Sequence, residues 1–119
     1  MIFIFCNLIQ SSIEIINLCS DDLPNYVWDN YQKSLPMSTY LVAFTISDFV
    51  NLSSNGNFSV WARTDAISSA QYALSIGPRI LKNLENYFNI TFPLQKIDMI
   101  AVPDFHAGAM ENWGLITYR

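Results

Sequence analysis

At 119 residues, 51% hydrophobic and 13% charged, the chain has the size and composition of one ordinary folded domain, which excludes a disordered tail. Six Lys and Arg stand against ten scattered Asp and Glu, a formal charge of -4, so no basic surface is available for a phosphate backbone and nucleic acid is excluded as a partner. Two cysteines, Cys6 and Cys19, could pair, but no repeated spacing or Cys/His cluster points to a disulfide framework or a zinc finger.

The chain opens on the apolar run Met1-Ile2-Phe3-Ile4-Phe5-Cys6-Asn7-Leu8-Ile9. No Lys or Arg precedes Lys33 and no small-residue cleavage site follows, which argues against a signal peptide. The run stops at Gln10-Ser11-Ser12, short of the roughly 20 apolar residues that a membrane span needs. A strand or a mis-assigned start is the expectation there. Residues 38 to 50 are rich in β-branched and aromatic types, alternate Tyr40, Val42, Phe44 and Ile46 on one side, and predict a strand. The polar cluster at 51 to 57, with Gly56 inside it, predicts a turn, and Phe58-Ser59-Val60-Trp61-Ala62 resumes the alternation as the second arm of a hairpin. Trp61, Phe44 and Tyr40 are expected in a sandwich core rather than on a binding platform.

Asp65 can cap a helix, and Ala66, Ala70, Ala73, Leu74, Leu81, Leu84 and Phe88 recur at helical spacing behind it. Gly77-Pro78 interrupts the pattern, and proline's missing donor predicts a kink or two abutting helices. Residues 89 to 93 break the helix, and residues 97 to 102 and 114 to 118 predict two further strands. A β-rich part thus gives way to an α/β part near Arg63-Thr64, with no Pro/Gly/Ser linker between them.

The chemistry gathers between those last strands, in Gly108-Ala109-Met110-Glu111-Asn112-Trp113-Gly114. Glu111 is a carboxylate flanked by small residues, suited to hold a cationic group in a cleft. Gly108 and Ala109 leave the backbone bare, so an extended peptide can add main-chain hydrogen bonds to a strand edge. Together they describe a pocket for a peptide's N-terminus, since removing one residue at a time requires measuring from the free ammonium. Taken alone, the same residues also suit a bulged turn, with Trp113 a core anchor and Glu111 a solvated charge.

The string GAMENWG, preceded by Val102-Pro103-Asp104-Phe105 and followed by Leu115-Ile116-Thr117-Tyr118-Arg119, closely resembles the exopeptidase signature of the aminopeptidase N family of zinc metallopeptidases. The resemblance extends upstream through Pro36-Met37-Ser38-Thr39-Tyr40-Leu41-Val42-Ala43-Phe44, Trp61-Ala62-Arg63 and Tyr72-Ala73-Leu74 with Gly77-Pro78, and covers roughly residues 27 to 119. It implies an α+β fold: residues 27–63 close an N-terminal β-sandwich and residues 64–119 begin a thermolysin-like catalytic domain, as a fragment that stops before the zinc site. Residues 1–26 stay unassigned. It implies that Glu111 binds the substrate's α-amino group, that Gly108 and Ala109 contact the substrate backbone, that Met110 and Asn112 belong to the same recognition strand, and that Ala107 lines the pocket for the first side chain.

His106 departs from the Asn, Gln or Ser expected at its position. A catalytic zinc needs about three protein ligands, and the family's come from an H-E-x-x-H helix and a later Glu, neither of which this sequence contains. His106 is therefore expected at a pocket rim or in an ordinary hydrogen bond rather than on a metal. The implied cofactor is zinc in the full-length family member and none in this fragment, which carries no catalytic residue and is expected to be inactive by itself. The implied partner is a peptide with a free N-terminus, with any membrane association arising through segments outside this chain.

Three acceptor sequons, Asn51-Leu52-Ser53, Asn57-Phe58-Ser59 and Asn89-Ile90-Thr91, suit an exported protein. With eleven Asn and seventeen Ser plus Thr in 119 residues, chance alone supplies roughly one or two. A plasma-membrane or extracellular location, with a cytosolic alternative, therefore rests on the resemblance. The competing functional class is a non-catalytic binding module, an ectodomain remnant derived from this family. An incomplete gene model is the third reading.

Overall fold

Phe58–Ala62 and Ile97–Ala101 are buried on both faces and lie side by side in parallel, the pattern of central strands covered above and below. They anchor the computed structural model, which describes residues 3–6, 33–54 and 57–119. Named in chain order, the strands are β1 (Phe3–Cys6), β2 (Phe44–Ser47), β3 (Val50–Ser54), β4 (Phe58–Ala62), β5 (Ile97–Ala101), β6 (Ala109–Met110) and β7 (Leu115–Tyr118), with helix α1 (Gln71–Phe88) between β4 and β5. The result is a small mixed α/β unit. Its main sheet has five strands in the order β3-β4-β5-β7-β6, parallel through β4, β5 and β7 and antiparallel at both edges, while β1 and β2 form a separate antiparallel pair.

Alternation along the central strands sorts the core into two layers. Phe58, Val60 and Ile97 face α1 and pack against Ala70, Ala73, Leu74, Leu81 and Phe92, with Met99 and Ile116 alongside. On the opposite face Ile100 and Leu115, both fully buried, pack against Ala43, Phe49, Trp61 and Val102. The segment before the hairpin thus covers the face that the helix does not.

That arrangement changes several expectations. Residues 38 to 50 are not one strand: a 3-10 turn occupies Thr39–Leu41, β2 pairs with β1, and the chain changes sheets at Asp48-Phe49 before β3 begins. The expected turn at 51 to 57 is shorter, because Asn51, Leu52, Ser53 and Ser54 lie in β3, an edge strand whose polar residues can face outward. Tyr40 and Phe44 are not core residues. They are 61% and 67% exposed, since the chain packs onto the sheet through the alternate side. Trp61 does pack inside. The Cys6–Cys19 pairing falls outside the described residues.

The helix begins later than its apolar spacing predicts. Asp65 pairs with Arg63 at 3.5 Å instead of capping, a 3-10 turn at Ile67–Ala70 intervenes, and Ala70 precedes the first α-helical turn with no side-chain cap. Gly77-Pro78 produces no division into two helices: α1 runs through Pro78 without interruption. Its apolar face is Ala73, Leu74, Gly77 and Leu81, while Leu84 and Phe88 are exposed. The helix ends as expected, with Asn89 in the left-handed region at φ 53° and its N–H donating to the Glu85 carbonyl. Glu85 also accepts from the Phe92 N–H at 2.8 Å and pairs with Lys82 at 3.2 Å. The Phe92 bond first and Lys82 second hold its carboxyl below the ordinary glutamate range. Because folding lowers that pKa, the link supports the loop above the unfolded-state value and is lost as pH falls through the folded one.

Gly77 has a packing reason. A Cβ there would lie 2.1 Å from the tip of the Phe58 ring, and the ring is itself buried between β5 and the helix. We expect Gly77→Ala to destabilise the fold by about 1–3 kcal/mol through overpacking, outweighing the ~1 kcal/mol that alanine contributes within a helix. Urea unfolding would read this as a lowered midpoint, and a raised midpoint would overturn the account.

Candidate functional site

Residues 107–112 come together at one edge of the main sheet, as expected of consecutive residues, but their side chains take different directions. Gly108 adopts φ 77°, a conformation that suits glycine, and its N–H closes a turn onto the Phe105 carbonyl at 3.2 Å. Its own carbonyl accepts from the Arg119 N–H at 2.8 Å and so points at the β7 side. Strand alternation then directs the N–H and C=O of Ala109 the other way, to the outer edge of β6. No described strand pairs with that edge. Ala109 is exposed, Met110 is half-buried opposite Thr117, and Ala107 and Glu111 are exposed.

Asn112 differs from its neighbours. It is 4% exposed, its amide Nδ2 donates to the Leu41 carbonyl at 3.4 Å, and its Oδ1 accepts from Thr117 Oγ1 at 3.3 Å. Its carbonyl accepts from the Leu115 N–H at 3.1 Å, closing a turn with Gly114 at φ 81° in the position where a type II turn needs a positive φ. The Gly114 carbonyl in turn accepts from the Asp98 N–H at 3.0 Å and lies 3.4 Å from Lys96 Nζ. Asp98, buried on β5, pairs with Lys96 and accepts from Trp61 Nε1 at 3.2 Å. Residue-by-residue reading missed this support, whose one visible signal was a Lys-x-Asp pair entering an otherwise apolar strand.

His106 is exposed on the loop before Gly108. An apolar hollow of about 350 Å³, lined by Val60, Ala70, Ala73, Met99, Ala101 and Tyr118, lies between the sheet and the start of α1 rather than at Glu111.

The Peptidase family M1 domain model matches residues 72–119, from the second residue of α1 to Arg119, just past β7. Over 95 residues the chain is 52% identical to endoplasmic reticulum aminopeptidase 1 of Mus musculus and 46% identical to endoplasmic reticulum aminopeptidase 2 of Bos taurus, covering 76% of this chain and 10% of each relative. It is 45% identical over 102 residues to aminopeptidase N of Oryctolagus cuniculus, covering 81% of this chain and 11% of that protein. The chain belongs to the M1 peptidase family. It spans about a tenth of the length of the curated relatives it matches.

M1 peptidases are in general zinc-dependent metallo-aminopeptidases. Among the described residues of this M1 chain no three His, Cys, Asp or Glu side chains gather in a group that could hold a metal ion. The donors among the described residues therefore do not fit zinc. Among the described residues no helix is long and apolar enough to cross a membrane.

Proposed function

We propose that residues 107–112 are the substrate-recognition part of a zinc-dependent aminopeptidase that removes N-terminal residues from peptides. The observation that carries this reading is the open outer edge of β6 with an exposed carboxylate, Glu111, following directly after it. An extended peptide adds to that edge as a further strand, bonded through the N–H and C=O of Ala109 and steered by Gly108 and Met110. Its terminal ammonium then meets Glu111, and because strand pairing fixes the peptide's direction, the ammonium sets how many residues lie between it and the bond to be cut. Ala107 leaves room beside the first side chain. The bond-breaking groups belong to parts of the protein outside residues 1–119.

On this reading residues 27–63 close a β-sandwich and residues 64–119 open a thermolysin-like catalytic domain, with β3 and β4 lending two strands to the sheet that carries the recognition edge. A plasma-membrane or extracellular location, with a cytosolic alternative, is part of the same proposal and rests on the family, whose members include proteins named aminopeptidase N and endoplasmic reticulum aminopeptidase. The test uses the full-length protein carrying these residues with a peptide and its Nα-acetylated form. Cleavage of the free peptide alone is expected, because acetylation removes the charge that Glu111 measures. Equal cleavage of both would overturn the proposal.

A further inference from the structure

Among the residues of the recognition edge, Asn112 has a side chain turned wholly into the protein, and its partners lie on both sides of the molecule's history along the chain. Leu41, whose carbonyl it holds, is 71 residues earlier and ends the 3-10 turn Thr39–Leu41. Thr117, which donates to its Oδ1, sits on β7 directly opposite Met110 and also lies 3.5 Å from the Met110 carbonyl. A side-chain amide carries its donor and its acceptor on separate atoms, and the two contacts use one each. At 4% exposure it has little surface left for a ligand.

We infer that Asn112 is a positioning residue that clamps the Thr39–Leu41 turn onto the recognition edge and thereby aims Glu111. The inference rests on the reading of Glu111 as the anchor of the substrate ammonium. Glu111 is bracketed by Met110, tied to β7 through the strand register, and by Asn112, tied to β7 and to the upstream turn. A carboxylate on so short a span has its direction set by its two neighbours. The upstream segment also supplies Ala43 and Phe49 to the core layer beneath β7, so displacing it disturbs the same face twice. The amine-binding geometry therefore depends on a segment that contributes nothing to the binding edge itself.

The test uses three variants of the full-length protein: Asn112→Asp, which keeps the size but cannot donate to Leu41; Thr117→Val, which keeps the shape but cannot donate to Asn112; and Glu111→Ala. Each is measured with two competitive ligands, a free-amino dipeptide and its desamino analogue. Loss of the clamp is expected to weaken the free-amino ligand by roughly tenfold, the scale of one misaligned charge-assisted hydrogen bond, and to leave the desamino ligand unchanged. A merely structural role would change both ligands alike or neither, and either result overturns the clamp. Should Asn112→Asp fail to fold, Thr117→Val decides alone. If Glu111→Ala binds both ligands as the unmodified protein does, the anchor reading itself falls. If Glu111→Ala loses selectivity for the amine and the two clamp variants keep it, only the clamp falls.

Discussion

Replacing Glu111 by Ala in the full-length protein is expected to lower kcat/KM for free-amino peptides by on the order of a hundredfold or more. In water a surface carboxylate and an ammonium attract one another weakly, because solvent screens them. A peptide laid along β6 changes this by covering both charges. Truncating one partner of a covered, hydrogen-bonded charge pair costs about 2–5 kcal/mol, much of it from the charge left behind, and 1.4 kcal/mol corresponds to a factor of ten. Glu111→Gln, which keeps an acceptor and loses the charge, should fall between the two. Because Glu111 is exposed, its loss should leave the unfolding midpoint where it was, so a fall in activity can be read as lost recognition. An unchanged kcat/KM in Glu111→Ala would remove this residue from the reaction.

The second large effect concerns stability. Asp98 accepts from Trp61 Nε1 and pairs with Lys96, and the two charged side chains are only 8% and 13% exposed. Asp98→Ala takes a countercharge from an ammonium that water barely reaches and an acceptor from an indole N–H. We expect a loss of about 3 kcal/mol, read as a lower urea midpoint for the 119-residue chain. The double replacement of Lys96 by Met and Asp98 by Leu should recover most of it, because removing both charges together also removes the burden of burying them. A single Asp98→Ala variant as stable as the unmodified chain would show that the pair is solvated. The same pair supports the site, since the Gly114 carbonyl is held by the Asp98 N–H and lies beside Lys96 Nζ.

How much of this was legible beforehand depended on distance along the chain. The helix could be seen in Ala73, Leu74 and Leu81, whose spacing repeats within one face, and β5 and β7 in short apolar runs between breakers. The helix start was misplaced because Asp65, a good capping residue, found Arg63 instead. Tyr40 and Phe44 misled because alternation identifies two sides of a segment without saying which one meets a neighbour, and here the aromatic side is exposed. Asn51 and Ser53 resembled a turn by composition, yet an edge strand accepts the same polar residues. The candidate site was visible because residues 107–112 are consecutive. What was not visible is that Asn112 faces inward, since its partner Leu41 lies 71 residues away and no local pattern encodes a contact of that separation.

The order of strands also sets what the recognition edge depends on. β6 is joined to the sheet through β7, β7 through β5, and β5 to β4 in parallel across the whole of α1. Parallel neighbours must be joined by a long crossover, and such distant pairings are slow to form. The hairpin of β6 and β7 is local along the chain, but its place in the sheet depends on the pairing of β7 with β5. A chain whose β7 is not docked on β5 has its central strands but no sheet edge in place on which a peptide could be read.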